Sequence, residues 1–502
     1  MRCIRLPISS DKIKGRKKVG NNKYFMLIDG KWIEAESKAT FEVKNPATEE
    51  TIAEVPKGDK VDAKKALKAA DRAFPEWANI PPNKRAHLLR ETARLIRERE
   101  DKIARILTSE QGKPLNEARS EIKSAADAIE YFAEEAYRMR GEIIPTNSAK
   151  RKSLVIKQPV GVVAAIGPWN YPVSLLSWKV GPALIAGCTV VVKPASLTPL
   201  SVIEFIHCFV DAGVPSGVIN LVTGPGKTVG EELVKNPLSR KIAFTGETAT
   251  GKRIIQLVAD GVKRVSLELG GSCPLIVCDD ADLSLAVKGG VYRAFRNMGQ
   301  VCNSINRIYV DTKLFDEFVE EFVKETKKLR IGNGLEEPDI DLGPMVSDEQ
   351  RRHVIEHIED AVKKGAKIEC GGKIPEGEKF KKGFFFEPTV LTGVNHKMRV
   401  MREETFGPVA PIMAVKDVEE AIKLANDSPY GLVGYVYTKD IKRAFRVAES
   451  LECGTVGINN VSGGEFPYPY GGWKESGIGL ELSNYGVEEY LQVKHVRIDI
   501  GY

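Results

Sequence analysis

Between residues 60 and 140, apolar positions recur three and four apart in VDAKKALKAADRAF, RAHLLRETARLIRERE and EIKSAADAIEYFAEEAYRM. That spacing predicts three amphipathic helices packed against a sheet. Ahead of them, MLIDGKWIEA from Met26 reads as strand. After Pro145 the texture changes to short apolar runs (GVVAAIG, CTVVVKP, VINLVTG, KIAFTG, VSLELGG, LIVCDD) alternating with helical stretches such as SVIEFIHCFVDAG and GKRIIQLVADG. Such alternation predicts buried parallel strands joined by right-handed helical crossovers. A second α/β series follows residue 300, from RIYV through LFDEFVEEFVKETKKL and QRRHVIEHIEDAVKKG to GLVGYVYT and GTVGINN. The expected class is therefore α/β, with at least two domains.

Composition narrows this picture. With 42% hydrophobic and 28% charged residues in 502, the chain is neither disordered nor fibrous. Its strongest apolar run, Val160 to Ile166, is soon ended by Pro168 and is far short of the roughly 18 residues of a membrane span, so no membrane partner is expected. Eight cysteines without a C-x-x-C pair suit a reducing cytoplasm. The net charge of +6 hints at an anionic partner, but residues 1–25 alone hold eight bases and one acid. The remainder, with 66 bases against 67 acids, is close to neutral, and no nucleic acid is expected as a partner. The basic arm is expected to be unstructured, although its composition also fits a transit peptide.

Several features could carry chemistry. GPGKTVG (Gly224 to Gly230) follows a strand and precedes a helical stretch, and FTGETATG (Phe244 to Gly251) repeats that logic one crossover later. Glycines at strand-to-helix turns let a backbone approach an anion at a helix N-terminus, although an ordinary tight turn has the same signature. Cys302, between a predicted helix and a strand, fits a covalent nucleophile or a small buried hydrophobe. Glu268 ends an apolar strand, as a desolvated base or as a carboxylate satisfied by backbone N–H groups. Asn170, on a loop stiffened by Pro168 and Pro172, fits an oxyanion donor or an Asx-turn. His353, Glu356 and His357 spell an inverted zinc-protease frame. With Val354, Ile355, Ile358, Ala361 and Val362 toward the core, both histidines should lie on the helix's polar flank, and no metal is expected.

In order, GPWNYP, VVKPAS, FTGETATG, LELGG, GQVC, EETFGP and PYGGWKESGIG resemble the aldehyde dehydrogenase superfamily from residue 26 to the C-terminus, nearest in texture to its succinate semialdehyde dehydrogenase-like members. The resemblance implies a Rossmann-like cofactor domain (26–141 and 161–270), a catalytic α/β domain (271–485) and a small β oligomerisation element (142–160 and 486–502) beyond the arm (1–25), in a homodimer or homotetramer. It implies Cys302 as nucleophile, Glu268 as base and Asn170 as oxyanion donor. Lys193 would meet the adenosine ribose and Glu404 the nicotinamide ribose, with Ile166, Pro168, Trp169, Thr245, Gly246, Leu269 and Phe406 lining the cleft. Gly226 and Lys227 would lie near the phosphates. Glu247 stands where the family usually has a small serine, and should turn outward or pair with a base. Three residues after Lys193, Ser196 replaces the glutamate of NAD-preferring members, so NADP is expected over NAD. Arg296 resembles the arginine that holds the distal carboxylate of succinate semialdehyde, and fits an exposed helix arginine equally well. The second arginine of that group is replaced by Trp178, which with Tyr171 and Tyr470 resembles the aromatic lining of general and amino-aldehyde members. Ser304 replaces a cysteine of some semialdehyde enzymes, so no disulfide switch is expected there.

Overall fold

The computed structural model describes residues 23–337, 339–463 and 465–501; most of the basic arm, residues 1–22, lies outside them. Two sheets organise the chain. The first runs Lys31–Ile33, Met26–Ile28, Ile219–Leu221, Thr189–Lys193, Val162–Ile166, Ser239–Thr245, Arg264–Glu268 and Gly477–Ile478. Its five consecutive strands from Ile219–Leu221 to Arg264–Glu268 are parallel; the antiparallel hairpin of Met26–Ile28 and Lys31–Ile33 closes one side and the antiparallel Gly477–Ile478 the other. The second runs Lys367–Cys370, Thr389–Thr392, Val409–Val415, Ile305–Asp311, Cys273–Val277, Val433–Tyr437 and Thr455–Ile458, parallel except at the first pair. Strands such as VVAAI and CPLIV are buried at every position, as a sheet covered on both faces requires. Among the described residues no helix is long and apolar enough to cross a membrane.

The helix Lys60–Asn79 starts with a reciprocal cap: the Asp59 carboxylate accepts from Val61 and Asp62 N–H, and Asp62 answers the Asp59 N–H. It lays Ala63, Ala66, Leu67 and Ala70 on the first sheet, in one core with Val191 and Val222. The next two expected helices depart from the reading above. Pro82–Glu98 and Leu115–Glu134 pack chiefly on each other and on the helix Pro172–Ala186, not on a sheet. Their facing stripes are rich in alanine (Ala86, Ala93, Ala125, Ala126), which allows close helix contact.

A third, three-stranded antiparallel sheet joins Glu142–Ile144, Arg151–Pro159 and Leu491–Asp499. Residues 142–160 thus hold two strands, and the segment from 486 begins inside a short helix, Ser483–Glu488, before its strand starts. Four residues named from sequence, Ile166, Lys193, Thr245 and Glu268, are the last residues of four adjacent parallel strands. The carboxyl ends of parallel strands are where α/β sheets bind ligands.

Candidate active site

Cys302 lies between the helix Leu283–Phe295 and the strand Ile305–Asp311. Just before it, Asn297, Met298 and Gly299 all adopt left-handed backbone (φ +49°, +60° and +66°). At Gly299 a Cβ would collide with the Gly407 carbonyl. Three such residues in a row break the helical path and hold strain beside the thiol. The residue is only partly exposed, and its Sγ stands 3.8 Å from the Tyr470 hydroxyl. Burial pushes its pKa up to about 12, the nearby Glu268 charge adds to this, and the Tyr470 contact opposes it.

Glu268 is 3% exposed, and its Oε1 has no hydrogen-bond partner among the described residues. Burial holds its carboxyl well above the usual range, Glu481 raises it further, and the Lys179 ammonium draws it back. Lys179 is fully buried and donates at 2.6 Å both to Glu481 Oε1 and to Thr245 Oγ1. Sequence reasoning missed this pair because Glu481 lies 302 residues from Lys179; the one local signal was a lysine in an otherwise apolar helix.

Asn170 donates from Nδ2 to the Gln300 carbonyl at 2.9 Å, so the GPWNYP loop is tied to the segment leading into Cys302. Its own carbonyl accepts from Lys113 Nζ at 2.7 Å. Lys113 forms a wholly buried 2.6 Å ion pair with Glu121. The other Glu121 oxygen accepts from Val173 and Ser174 N–H at the start of Pro172–Ala186. The asparagine is therefore held by a charged frame, not by an Asx-turn of its own.

On the other side of the strand ends, Lys193 is 5% exposed, and among the described residues its ammonium donates only to the Pro194 carbonyl at 3.1 Å. Burial alone lowers its pKa to about 8. A buried cation so thinly satisfied is matched to incoming oxygen ligands. Ser196, Gly226 and Lys227 are exposed nearby. Ser196 Oγ donates to the Gly224 carbonyl at 3.4 Å, and the space beside Gly226 is open to at least 4 Å. The stretch Gly226–Gly230 is a π-type turn that leads into the short helix Glu231–Lys235.

Glu404 accepts from Gly271 N–H at 2.9 Å. Burial lifts its carboxyl to about 7 against that hydrogen bond, with Glu247 adding to the rise. A Cβ at Gly270 would strike this carboxylate. Phe406 has φ +47° and meets Trp169 edge-on at 5.2 Å. Gly246 N–H donates to the Glu268 carbonyl, Gly167 N–H to the Lys193 carbonyl, and Leu269 N–H to the Ser476 carbonyl; Ile166 and Pro168 flank Gly167. Glu247 is exposed at the start of the helix Thr248–Val258 and has no ion pair among the described residues.

The inverted zinc-protease frame needs correcting. Val362 is exposed, whereas His357 is fully buried rather than on the polar flank. The 403–406 loop covers this side of the helix, and His357 Nδ1 meets Thr405 Oγ1 at 3.1 Å. Burial, then His353, lowers the His357 pKa to about 3. Gln350, two turns earlier, donates to the Thr405 and Phe406 carbonyls at 3.3 and 3.0 Å. This helix therefore clamps the loop that carries Glu404 and Phe406.

Tyr171, Trp178 and Tyr470 form an aromatic wall beside Cys302. Trp178 and Tyr470 meet edge-on at 5.7 Å, and Lys113 Nζ lies 3.6 Å from the Tyr171 ring centroid. The Trp178 indole N–H has no partner among the described residues. Arg296 sits over the Tyr171 ring at 5.3 Å and pairs with Glu117 at 2.9 Å, a carboxylate that also receives the Tyr171 hydroxyl. Burial works against the Arg296 charge, but Tyr171 and Glu117 outweigh it and hold the guanidinium above its ordinary value. Ser304 donates to the Arg293 and Ala294 carbonyls, and the seven described cysteines are all free.

Comparison with known proteins gives concordant answers. Residues 32–496 match the aldehyde dehydrogenase family. The chain is 47% identical to the glutarate-semialdehyde dehydrogenase of Pseudomonas putida, over 94% of this chain and 97% of the relative. It is 46% identical to the NADP(+) succinate-semialdehyde dehydrogenase of Escherichia coli, with the same coverage. The crystal structure of an E. coli NADP-dependent enzyme superposes with a TM-score of 0.93 at 45% identity, over 95% of this chain and 98% of that one. With the family matched from the first sheet to the last strand, and relatives that are themselves dehydrogenases of aldehydes, the chain belongs to the aldehyde dehydrogenase family.

Proposed function

We propose that the protein oxidises an anionic semialdehyde to its dicarboxylate, with Cys302 as nucleophile, Glu268 as base and Asn170 as oxyanion donor, and with NADP taken in preference to NAD. The observation that carries this reading is the meeting of the Cys302 thiol, a buried Glu268 carboxylate with one oxygen unpartnered among the described residues, and the rigidly held Asn170 amide. Cys302 Sγ adds to the aldehyde carbon, and the oxygen that gains charge is received by the Asn170 amide. The chemistry that NADP or NAD supplies when bound is acceptance of hydride, which leaves a thioester on Cys302. Glu268 then takes a proton from the water that attacks this thioester, and the acid leaves. Lys179, between Glu481 and Thr245, favours the ionised form of Glu268 that this step needs. A base at this position favours hydrolysis over transfer of the acyl group to another acceptor.

The cofactor assignment rests on the lightly satisfied ammonium of Lys193 and the open space beside Gly226. Lys193 would hold the adenosine ribose, Ser196 and Lys227 a 2′-phosphate, and Glu404 the nicotinamide ribose. A neutral serine beside two lysines accepts a dianion that a carboxylate would repel. Ser196→Glu is therefore expected to raise the KM for NADP by about tenfold or more while leaving that for NAD equal or lower. Unchanged constants for both cofactors would refute the assignment.

The substrate assignment rests on Arg296, whose guanidinium lies over the Tyr171 ring of the aromatic wall, together with the two semialdehyde-oxidising relatives. Arg296→Gln is expected to raise the KM for succinate semialdehyde by about tenfold, and that for butanal by no more than about twofold. A second reading has support of its own, since Glu117 already neutralises Arg296 and Trp178 stands where a second arginine would be. Under it the wall receives a small uncharged aldehyde, and Arg296→Gln changes both constants alike. We further propose that the protein works in the cytoplasm as a homo-oligomer. The free cysteines support the compartment. The open edge of Leu491–Asp499 and the exposed Ile143 and Val493 support the assembly.

A further inference from the structure

Arg293, on the last turn of Leu283–Phe295, takes no part in the chemistry above, yet it is one of the most deeply buried charges in the protein, at 1% exposure. Among the described residues no carboxylate pairs with it. Its Nε donates to the Val461 carbonyl at 2.8 Å, and its Nη1 to Asn303 Oδ1 at 3.0 Å. Asn303 follows the nucleophile directly. Its Nδ2 donates to the Tyr470 hydroxyl oxygen at 3.3 Å, and that hydroxyl lies 3.8 Å from Cys302 Sγ. The Asn303 carbonyl is itself fixed by the Tyr435 hydroxyl at 2.9 Å.

The sense of every link follows from the first. A guanidinium only donates, so the Asn303 atom facing it must be the oxygen, and the amide NH2 must face Tyr470. The Tyr470 oxygen then accepts from Asn303, which leaves its own proton for the sulfur. Burial, reinforced by nearby Cys302 and Glu268, keeps the Tyr470 hydroxyl protonated far above its ordinary range, so it remains a donor. A full positive charge stands at one end of this one-way series and the nucleophile at the other. Hydrogen bonds aligned in one sense polarise one another, and the last donates to whatever charge the sulfur carries.

We propose that Arg293 is a positioning residue for the nucleophile: acting through Asn303 and Tyr470, it directs a polarised hydroxyl at Cys302 and favours the thiolate. The inference deepens the role proposed for Cys302 and rests on that reading. It gives the site a source of thiolate stabilisation that does not pass through Glu268, whose charge would oppose ionisation of the sulfur.

The test is the pH dependence of iodoacetamide alkylation of Cys302, followed by mass spectrometry of its peptide without aldehyde or cofactor. Tyr470→Phe, Asn303→Leu and Arg293→Gln are each expected to move the profile to higher pH and to slow alkylation at pH 7 by about tenfold, the worth of one hydrogen bond to an ion. Leucine is close to asparagine in size, and glutamine keeps N–H donors while removing the charge, so if one variant does not fold the other decides. Wild-type profiles in the folded variants would overturn the proposal. So would a shift confined to Tyr470→Phe, since the tyrosine would then act alone. Because the readout needs no turnover, it is independent of the aldehyde chemistry: persistence of turnover in Cys302→Ala would refute that chemistry and leave the alkylation result standing.

Discussion

Replacing Cys302 with alanine is expected to lower cofactor-linked aldehyde oxidation by at least about 10⁴-fold, as removal of a covalent nucleophile does in other enzymes. The size follows from what remains. In the proposed roles Asn170 would still polarise a carbonyl and Lys193 would still hold a cofactor, but no atom would be left to form the tetrahedral adduct from which hydride departs. Folding should be little affected, because the thiol lies on a partly exposed turn whose shape is set by the left-handed run Asn297 to Gly299 and by the Asn170–Gln300 hydrogen bond. The variant should therefore bind cofactor like the wild type, measured by quenching of protein fluorescence, while steady-state assays show no oxidation. Turnover within tenfold of wild type would exclude the thioester route.

Glu268→Gln should separate the two halves of the reaction. Acylation does not need the base, so a burst of reduced cofactor close to one equivalent per site is expected on mixing. The steady rate that follows should fall roughly 10²- to 10⁴-fold, the usual worth of a positioned general base. The pH dependence has a definite sign. Only the carboxylate accepts a proton, and burial with Glu481 holds the Glu268 carboxyl well above its ordinary range. Wild-type hydrolysis of the thioester should therefore climb with pH through that raised titration and level off above it. The glutamine variant has no carboxyl to titrate, so its residual rate should lose this rise. An unchanged steady rate, or an unaltered pH profile, would remove Glu268 from the mechanism.

What could be read from sequence alone was whatever is local in the chain. The parallel strands are continuous apolar runs, and Lys193, Thr245 and Glu268 stand where such runs stop, so pattern and motif pointed to the same strand ends. The pairings were not legible. Lys179 with Glu481, Asn170 with Gln300, Arg296 with Glu117 and Asn303 with Tyr470 all join residues more than 100 positions apart. No periodicity encodes such contacts. His357 shows the reverse failure. Helical spacing alone assigned it to a solvated flank, but a helix covered on two sides has two buried stripes, and the second is set by a loop some 50 residues later. Sequence marks Arg296 as a cation near Cys302, but its neutralisation by Glu117 comes from the helix Leu115–Glu134, 179 residues earlier.

The strand Gly477–Ile478 closes the open edge of the first sheet beside Glu268, and the Ser476 hydroxyl donates to the Gly270 carbonyl across 206 residues at 2.7 Å. This closure orders events in the life of a nascent chain. The five parallel strands are all synthesised by residue 268, but the last of them lacks its outer neighbour until the ribosome has made roughly two hundred residues more. Synthesis at about 5–20 residues per second leaves that edge uncovered for about 10–40 seconds. Long-range pairing of this kind is slow to form, so catalytic competence should be among the last properties the chain acquires, well after its first core has condensed.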